Sequence, residues 1–194
     1  MEVFNVVQIT EADYGCEETD RSEPMALLKL VSNDEERFFE ISEAELEKKG
    51  IREGKDVIFT SEGSLLKFVR VVAAVIRNED KIFAAARGYG EYKGWWEFPG
   101  GKIEEGETPA QALVREIYEE LTAEIDVKEL IRTIEYDYPD FHLSMDCFWA
   151  EVRSGQLELK EAEEARWLDL NTIADVKWLP ADQMLIDDIK KSME

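Results

Sequence analysis

The chain has 194 residues, with 23 basic against 45 acidic side chains and a formal net charge of −22; 44% of it is apolar, enough to build a substantial core. So acidic a chain repels polyanions, which argues against DNA or RNA as a partner. Its longest uninterrupted apolar run, residues 71–76, is far shorter than the roughly 18–20 residues of a membrane span, so no membrane contact is expected. The N-terminal MEVFNVVQIT lacks the basic segment of a secretory signal, and two distant cysteines, Cys16 and Cys147, suit reduced thiols. A cytoplasmic protein is the expectation.

Residues 1–66 read as a small β-rich module. Residues 3–9 suit a strand, and 25–31 and 37–41 can pair across the turn Ser32-Asn33-Asp34. Ser42-Glu43-Ala44-Glu45 is a capping box opening a short helix that Gly50 closes. Residues 55–60 make a further strand. Asp13, Cys16, Glu17 and Glu18 gather around Gly15, but one cysteine among acids lacks a convincing metal-ligand count and reads as a loop. No chemistry attaches to this module; packing on the remainder, homo-oligomerisation or binding of another partner all stay open.

From residue 67 the pattern changes, and 67–194 read as a second domain. Residues 69–76 are almost continuously β-branched or alanine, as expected of a strand covered on both faces. Asn78-Glu79-Asp80 turns the chain into a strand over 81–86, followed by Arg87 and a glycine-rich loop over 88–94. Residues 127–138 and 142–151 read as a long antiparallel pair around Pro139-Asp140. An acid-rich loop over 156–165, a short strand over 166–170 and an amphipathic helix over 183–191 complete the chain.

The chemistry concentrates in residues 94–123, GWWEFPGGKIEEGETPAQALVREIYEELTA. Thr108 can cap a helix, Pro109 suits its first position, and Gln111 completes a capping box. Ala110, Leu113, Val114, Ile117 and Leu121 fall on one stripe that should face a core. Glu116, Glu119 and Glu120 stand at i, i+3 and i+4, so their carboxylates project together, at a cost of roughly 0.2–0.5 kcal/mol per like-charged pair. A divalent cation removes that repulsion, and Mg²⁺ is often held by a few carboxylates together with substrate phosphates. Three helical glutamates alone would be a solvated face; with the glycine-rich loop, Glu107 and Arg115 at these spacings, a site is the better reading.

The pattern Gly101-x5-Glu107-x7-Arg115-Glu116-Ile117-x-Glu119-Glu120 resembles the Nudix box. The family's pattern continues with a glycine where this chain has Thr122, so local strain or a shifted helix end is expected there rather than lost metal binding. Further stretches, Val72-Ala73-Ala74-Val75-Ile76, Glu97-Phe98-Pro99-Gly100-Gly101-Lys102, Tyr138-Pro139-Asp140-Phe141-His142 and Trp178-Leu179-Pro180-Ala181-Asp182, resemble the MutT-like and CTP-pyrophosphohydrolase-like branch.

The resemblance implies an α/β fold, a Nudix-type α/β/α sandwich with a mixed sheet, beside the β-rich N-terminal module. It implies Mg²⁺, with Mn²⁺ as a substitute, held by Glu116, Glu119 and Glu120 with the backbone carbonyl of Gly100 or Gly101. Glu116 would orient or deprotonate the attacking water, Arg115 would hold the carboxylates in place and Glu107 would support Arg115. Glu161 is a further base candidate, with an exposed loop glutamate as the rival reading. Arg87 and Lys102 would meet the phosphates. Phe98 and Phe141 would form the base pocket, core packing being the rival for Phe98. Asp182 would read the base, favouring an exocyclic amine such as N4 of cytosine, unless it caps the last helix. His142 reads as a packed, hydrogen-bonded residue. The activity implied is Mg²⁺-dependent hydrolysis of a (deoxy)nucleoside triphosphate, an oxidised purine such as 8-oxo-dGTP or a cytidine type, to monophosphate and pyrophosphate. Hydrolysis of another nucleoside diphosphate-X compound and non-catalytic nucleotide sensing are the alternatives.

Overall fold

Alternation in Met-Ala-Leu-Leu-Lys-Leu-Val-Ser sends every second side chain inward. In the computed structural model, which describes residues 1–12, 23–33, 35–160 and 162–193, this stretch is a strand with Ala26, Leu28 and Leu30 buried. Asp13, Cys16, Glu17, Glu18 and Glu161 lie outside the described residues. The chain divides into two compact units: Met1–Val69 with Asp137–Leu143, and Arg70–Tyr136 with Ser144–Glu194.

The first unit contains β1 (Val3–Glu11), β2 (Met25–Ser32), β3 (Glu35–Ser42), α1 (Glu43–Lys48), β4 (Asp56–Phe59) and the start of β5 (Leu65–Asn78). Its strands lie antiparallel in the order β3-β2-β1-β4-β5. Ser42 caps α1 by accepting from the Glu45 amide at 3.2 Å. Phe4, Leu28, Leu30, Ile51, Val57 and Leu65 fill the core.

In the second unit the unbroken apolar run of β5 is covered as expected: Val72 through Ile76 are all buried. Around it lie β6 (Lys81–Ala86), β7 (Trp96–Glu97), β8 (Gly100–Lys102), helix α2 (Pro109–Leu121), β9 (Glu124–Asp137) and β10 (Phe141–Ser154) apart from Asp137–Leu143, β11 (Glu164–Leu168), α3 (Pro180–Gln183) and α4 (Ile186–Met193). β6 pairs antiparallel with β5, β7 and β11; β8 pairs antiparallel with β5; β10 pairs with β5 and β9. A parallel bridge joins Trp96 to Trp178, so the sheet is mixed. The expected helix over 183–191 is in fact α3 and α4, with Leu185 and Ile186 buried where the first gives way to the second. β7 and β8 are too short to carry a readable period. Among the described residues no helix is long and apolar enough to cross a membrane, and Cys147 is free and buried.

Helix α2 starts at the expected cap. Thr108 Oγ1 accepts from the Gln111 amide at 3.3 Å, and Gln111 Oε1 accepts from the Thr108 amide at 2.9 Å. Ala112, Leu113, Ile117 and Leu121 pack against Val72, Ala74, Ile76, Phe83 and Ala85. The apolar stripe is narrower than the periodicity predicts: Ala110, in the first turn, and Val114, at the rim, are exposed, and Ala112 is buried instead.

The helix ends on Thr122, whose φ of 57° and ψ of 22° are left-handed while its amide donates to the Tyr118 carbonyl at 3.0 Å. A β-branched residue is strained there, and its buried Oγ1 has no hydrogen-bond partner among the described residues. Thr122→Gly should therefore raise stability by about 1 kcal/mol, read as a higher urea midpoint at unchanged slope. A lower midpoint would show that the threonine is not strained.

Candidate active site

The site begins where the backbone comes closest to itself. β8 runs beside β5, with Val72 opposite Gly101 and Ala73 opposite Gly100, and the Ala74 amide donates to the Pro99 carbonyl at 2.8 Å. A Cβ on Gly100 would overlap the Val72 carbonyl oxygen, and one on Gly101 would overlap the Glu116 carboxylate. These two glycines let α2 lay its acidic face against the strand.

Arg115 organises that face. Its Nε and Nη2 donate to the two carboxylate oxygens of Glu107, both at 2.8 Å. Nη1 donates to Glu116 at 2.9 Å and to Glu119 at 3.3 Å, while Nη2 also reaches the Lys102 carbonyl at 3.0 Å. Glu107 in turn accepts from the Glu104 amide at 3.0 Å. The hydrogen bonds from Arg115 and then from that amide hold the Glu107 carboxyl down to about 2. The same bond to Glu107 raises Arg115 further above its already high ordinary value.

Arg115, Glu116 and Glu119, though not Glu107, line a cleft of about 580 Å³ that also takes in Arg87, Tyr89, Glu97, Gly100, Gly101, Lys102, Glu104 and Glu120. Arg87 donates to Glu97 at 2.6 Å. Partial burial pulls Arg87 down, but the Glu97 charge and hydrogen bond together overcome it and raise the guanidinium; burial lifts Glu97 despite Arg87. Glu97 and Tyr89 are cleft residues that sequence reasoning did not single out. Glu97 stands beside Phe98 in the quoted motif, and its two-residue strand gave no period from which to read its direction.

The remaining candidates are placed elsewhere. Phe98 is buried, stacked on Trp178 with centroids 4.6 Å apart. Its amide donates to Asp182 at 2.8 Å, so Asp182 ties α3 to the strand, and neither residue lines the cleft; Asp182 does not cap α4. Burial pushes the Asp182 carboxyl up to about 8 against the pull of the Phe98 amide. Phe141 belongs to the first unit, stacked on Tyr138 at 4.8 Å. His142 is buried, paired with Asp137 and stacked on Phe68 at 5.7 Å.

Five glutamates of the cleft (97, 104, 116, 119 and 120) face three cations (Arg87, Lys102 and Arg115), so an anionic ligand needs added positive charge. Among the described residues no three acidic, histidine or cysteine side chains are already gathered at ligand spacing. Yet Glu116, Glu119 and Glu120 share one wall, offer only hard oxygens, and Glu116 fills the space a side chain at 101 would take. This donor set fits a divalent cation of the Mg²⁺ type.

Comparison with known proteins gives a NUDIX domain match over residues 67–193. The 8-oxo-dGTP diphosphatase of Escherichia coli K12 is 34% identical over 128 residues, covering 65% of this chain and 99% of that protein. The CTP pyrophosphohydrolase of the same organism is 32% identical, covering 63% and 91%. A solution structure of the E. coli ORF135 protein superposes with a TM-score of 0.57 at 31% identity, covering 64% of this chain and 89% of that one.

Two carboxyls shifted in opposite directions give opposite pH dependence. Glu107, lowered from 4.5 to about 2, contributes stability that is full above about pH 4.5 and is lost as pH falls towards 2. Asp182, raised from 3.8 to about 8, holds a proton that the unfolded chain releases, so its effect is falling stability as pH rises between those values. Asp182→Asn keeps an acceptor for the Phe98 amide and removes the titration. In urea unfolding its advantage over the parent should be larger at pH 8 than at pH 5 by more than about 1 kcal/mol. An equal difference at both pH values would contradict this.

Proposed function

The chain belongs to the Nudix family, and from that premise we propose that it hydrolyses a (deoxy)nucleoside triphosphate to the monophosphate and pyrophosphate with Mg²⁺ as its metal, Mn²⁺ substituting. The observation that carries the reading is the Arg115 network, which sets Glu116 and Glu119 on one wall of a cleft that also contains Glu120 and Arg87. The names of the relatives, an 8-oxo-dGTP diphosphatase and a CTP pyrophosphohydrolase, support the substrate class.

When bound, the divalent metal neutralises phosphate charge and makes water a better nucleophile near neutral pH. The chain's own part is arrangement. Glu116, Glu119 and Glu120 supply carboxylate oxygens, and Gly100 and Gly101, of which one would add a backbone carbonyl, line the same cleft. Glu116 orients the attacking water and takes its proton. Arg115, held bidentate by Glu107, fixes the direction of those carboxylates and does not itself meet substrate. Arg87, steadied by Glu97, and Lys102 meet the phosphates. Phe98 and Asp182 shape the wall behind Glu97. Asp182 gives no preference for cytosine, because its carboxyl is buried and engaged with the Phe98 amide. In our reading the chemistry lies within residues 67–194, and no chemistry is assigned to the first unit, Met1–Val69 with Asp137–Leu143.

The test is purified protein with Mg²⁺ against 8-oxo-dGTP, dCTP, CTP, 5-methyl-dCTP and ADP-ribose, with products resolved. Monophosphate and pyrophosphate from a triphosphate are expected; ADP-ribose outrunning every triphosphate would sink the assignment. Chelation should abolish turnover and added Mg²⁺ restore it. Glu119→Gln should lower kcat at least about 100-fold with the unfolding midpoint held. A fully active Glu119→Gln enzyme would remove that residue from the metal set.

A further inference from the structure

A nucleobase bound without its edges being read needs a flat, polarisable face, and an aromatic ring supplies one for purines and pyrimidines alike. The two phenylalanines that the motif offers for this are occupied: Phe98 lies against Trp178, and Phe141 lies against Tyr138 in the first unit. Among the described residues lining the cleft, the aromatic side chain is Tyr89. It is also 61% exposed, although it sits in a concavity beside buried strand ends.

The loop that carries Tyr89 is pinned at its stem. Arg87 donates its amide to the Trp95 carbonyl and accepts at its own carbonyl from the Gly94 amide, both at 2.9 Å. Lys177 sits 3.6 Å from the Trp95 ring centroid, and Tyr92 meets the same ring edge-on at 5.2 Å. The loop base is therefore fixed by several contacts, while Tyr89 stands on the cleft side between Gly88 and Gly90. The Arg87 guanidinium lies 5.9 Å from the Tyr89 ring centroid and is itself locked to Glu97. A cation near the ring and a fixed stem give the side chain a defined place at the cleft.

We propose that Tyr89 is the surface on which the nucleobase of the substrate stacks. This rests on the nucleotide reading above and goes beyond it by naming the base-gripping residue. Because stacking does not read base edges, Tyr89 contributes affinity for any nucleobase and little discrimination between them.

The test compares the full-length parent with Tyr89→Ala, Tyr89→Leu and Tyr89→Phe. It uses steady-state kinetics with 8-oxo-dGTP and CTP, inorganic tripolyphosphate as a probe without a base, and calorimetric titration of GMP and CMP. Tyr89→Ala should raise KM for both nucleotides, and Kd for both monophosphates, by about 5- to 100-fold. The change in kcat should stay under about threefold, and handling of tripolyphosphate should be unaltered. Tyr89→Leu should behave like alanine, and Tyr89→Phe should remain within about threefold of the parent. Unchanged KM and Kd in Tyr89→Ala would overturn the proposal. So would an equal loss in Tyr89→Phe, which would assign the effect to the hydroxyl. If the parent hydrolyses no triphosphate, the functional reading fails by itself, and the monophosphate titrations still decide Tyr89. A parent that binds neither monophosphate overturns both.

Discussion

A single guanidinium holds the site together. Arg115 meets Glu107 with two parallel hydrogen bonds and has donors left for Glu116, Glu119 and the Lys102 carbonyl. Without it, neighbouring carboxylates on one helical turn would repel and spread. With it, they are drawn into one direction before any metal or substrate arrives. A lysine in its place would supply the charge but not the fork, because an ammonium cannot span both oxygens of Glu107 while reaching two further glutamates. The network also joins the loop to the helix, since Glu107 and Lys102 precede α2 whereas Glu116 and Glu119 lie within it.

That arrangement depends on a close approach of backbone and helix, and the approach depends on the core. The buried run of β5 anchors β8, and the stripe of Ala112, Leu113, Ile117 and Leu121 presses α2 onto the same sheet. Between them only a glycine fits at 100, against the Val72 carbonyl, while any side chain at 101 would displace the Glu116 carboxylate. Apolar burial thus sets the distance at which the polar chemistry happens. The strained left-handed Thr122 ends the helix where the family's pattern has a glycine.

Two acids show how environment overrides residue type. Glu107 stays partly open and has an arginine, so its charged form is favoured. Asp182 is buried, and desolvation outweighs its hydrogen bonds from the Phe98 amide and from its own. The first can anchor a cation network; the second is a structural tie between α3 and β7–β8.

The sequence by itself determined what is local. Thr108, Pro109 and Gln111 specify where α2 starts, and the i, i+3, i+4 spacing lets three glutamates line the same cleft. The unbroken apolar run specifies a strand covered on both faces. These follow because backbone hydrogen bonding and helical pitch act over a few residues. Tertiary structure alone decided which aromatic meets the cleft and which is packed away, and it paired Arg87 with Glu97 and Phe98 with Asp182. The last two are 84 positions apart, a separation over which no periodicity or capping rule operates; only the packing of distant strands and helices brings such residues into contact.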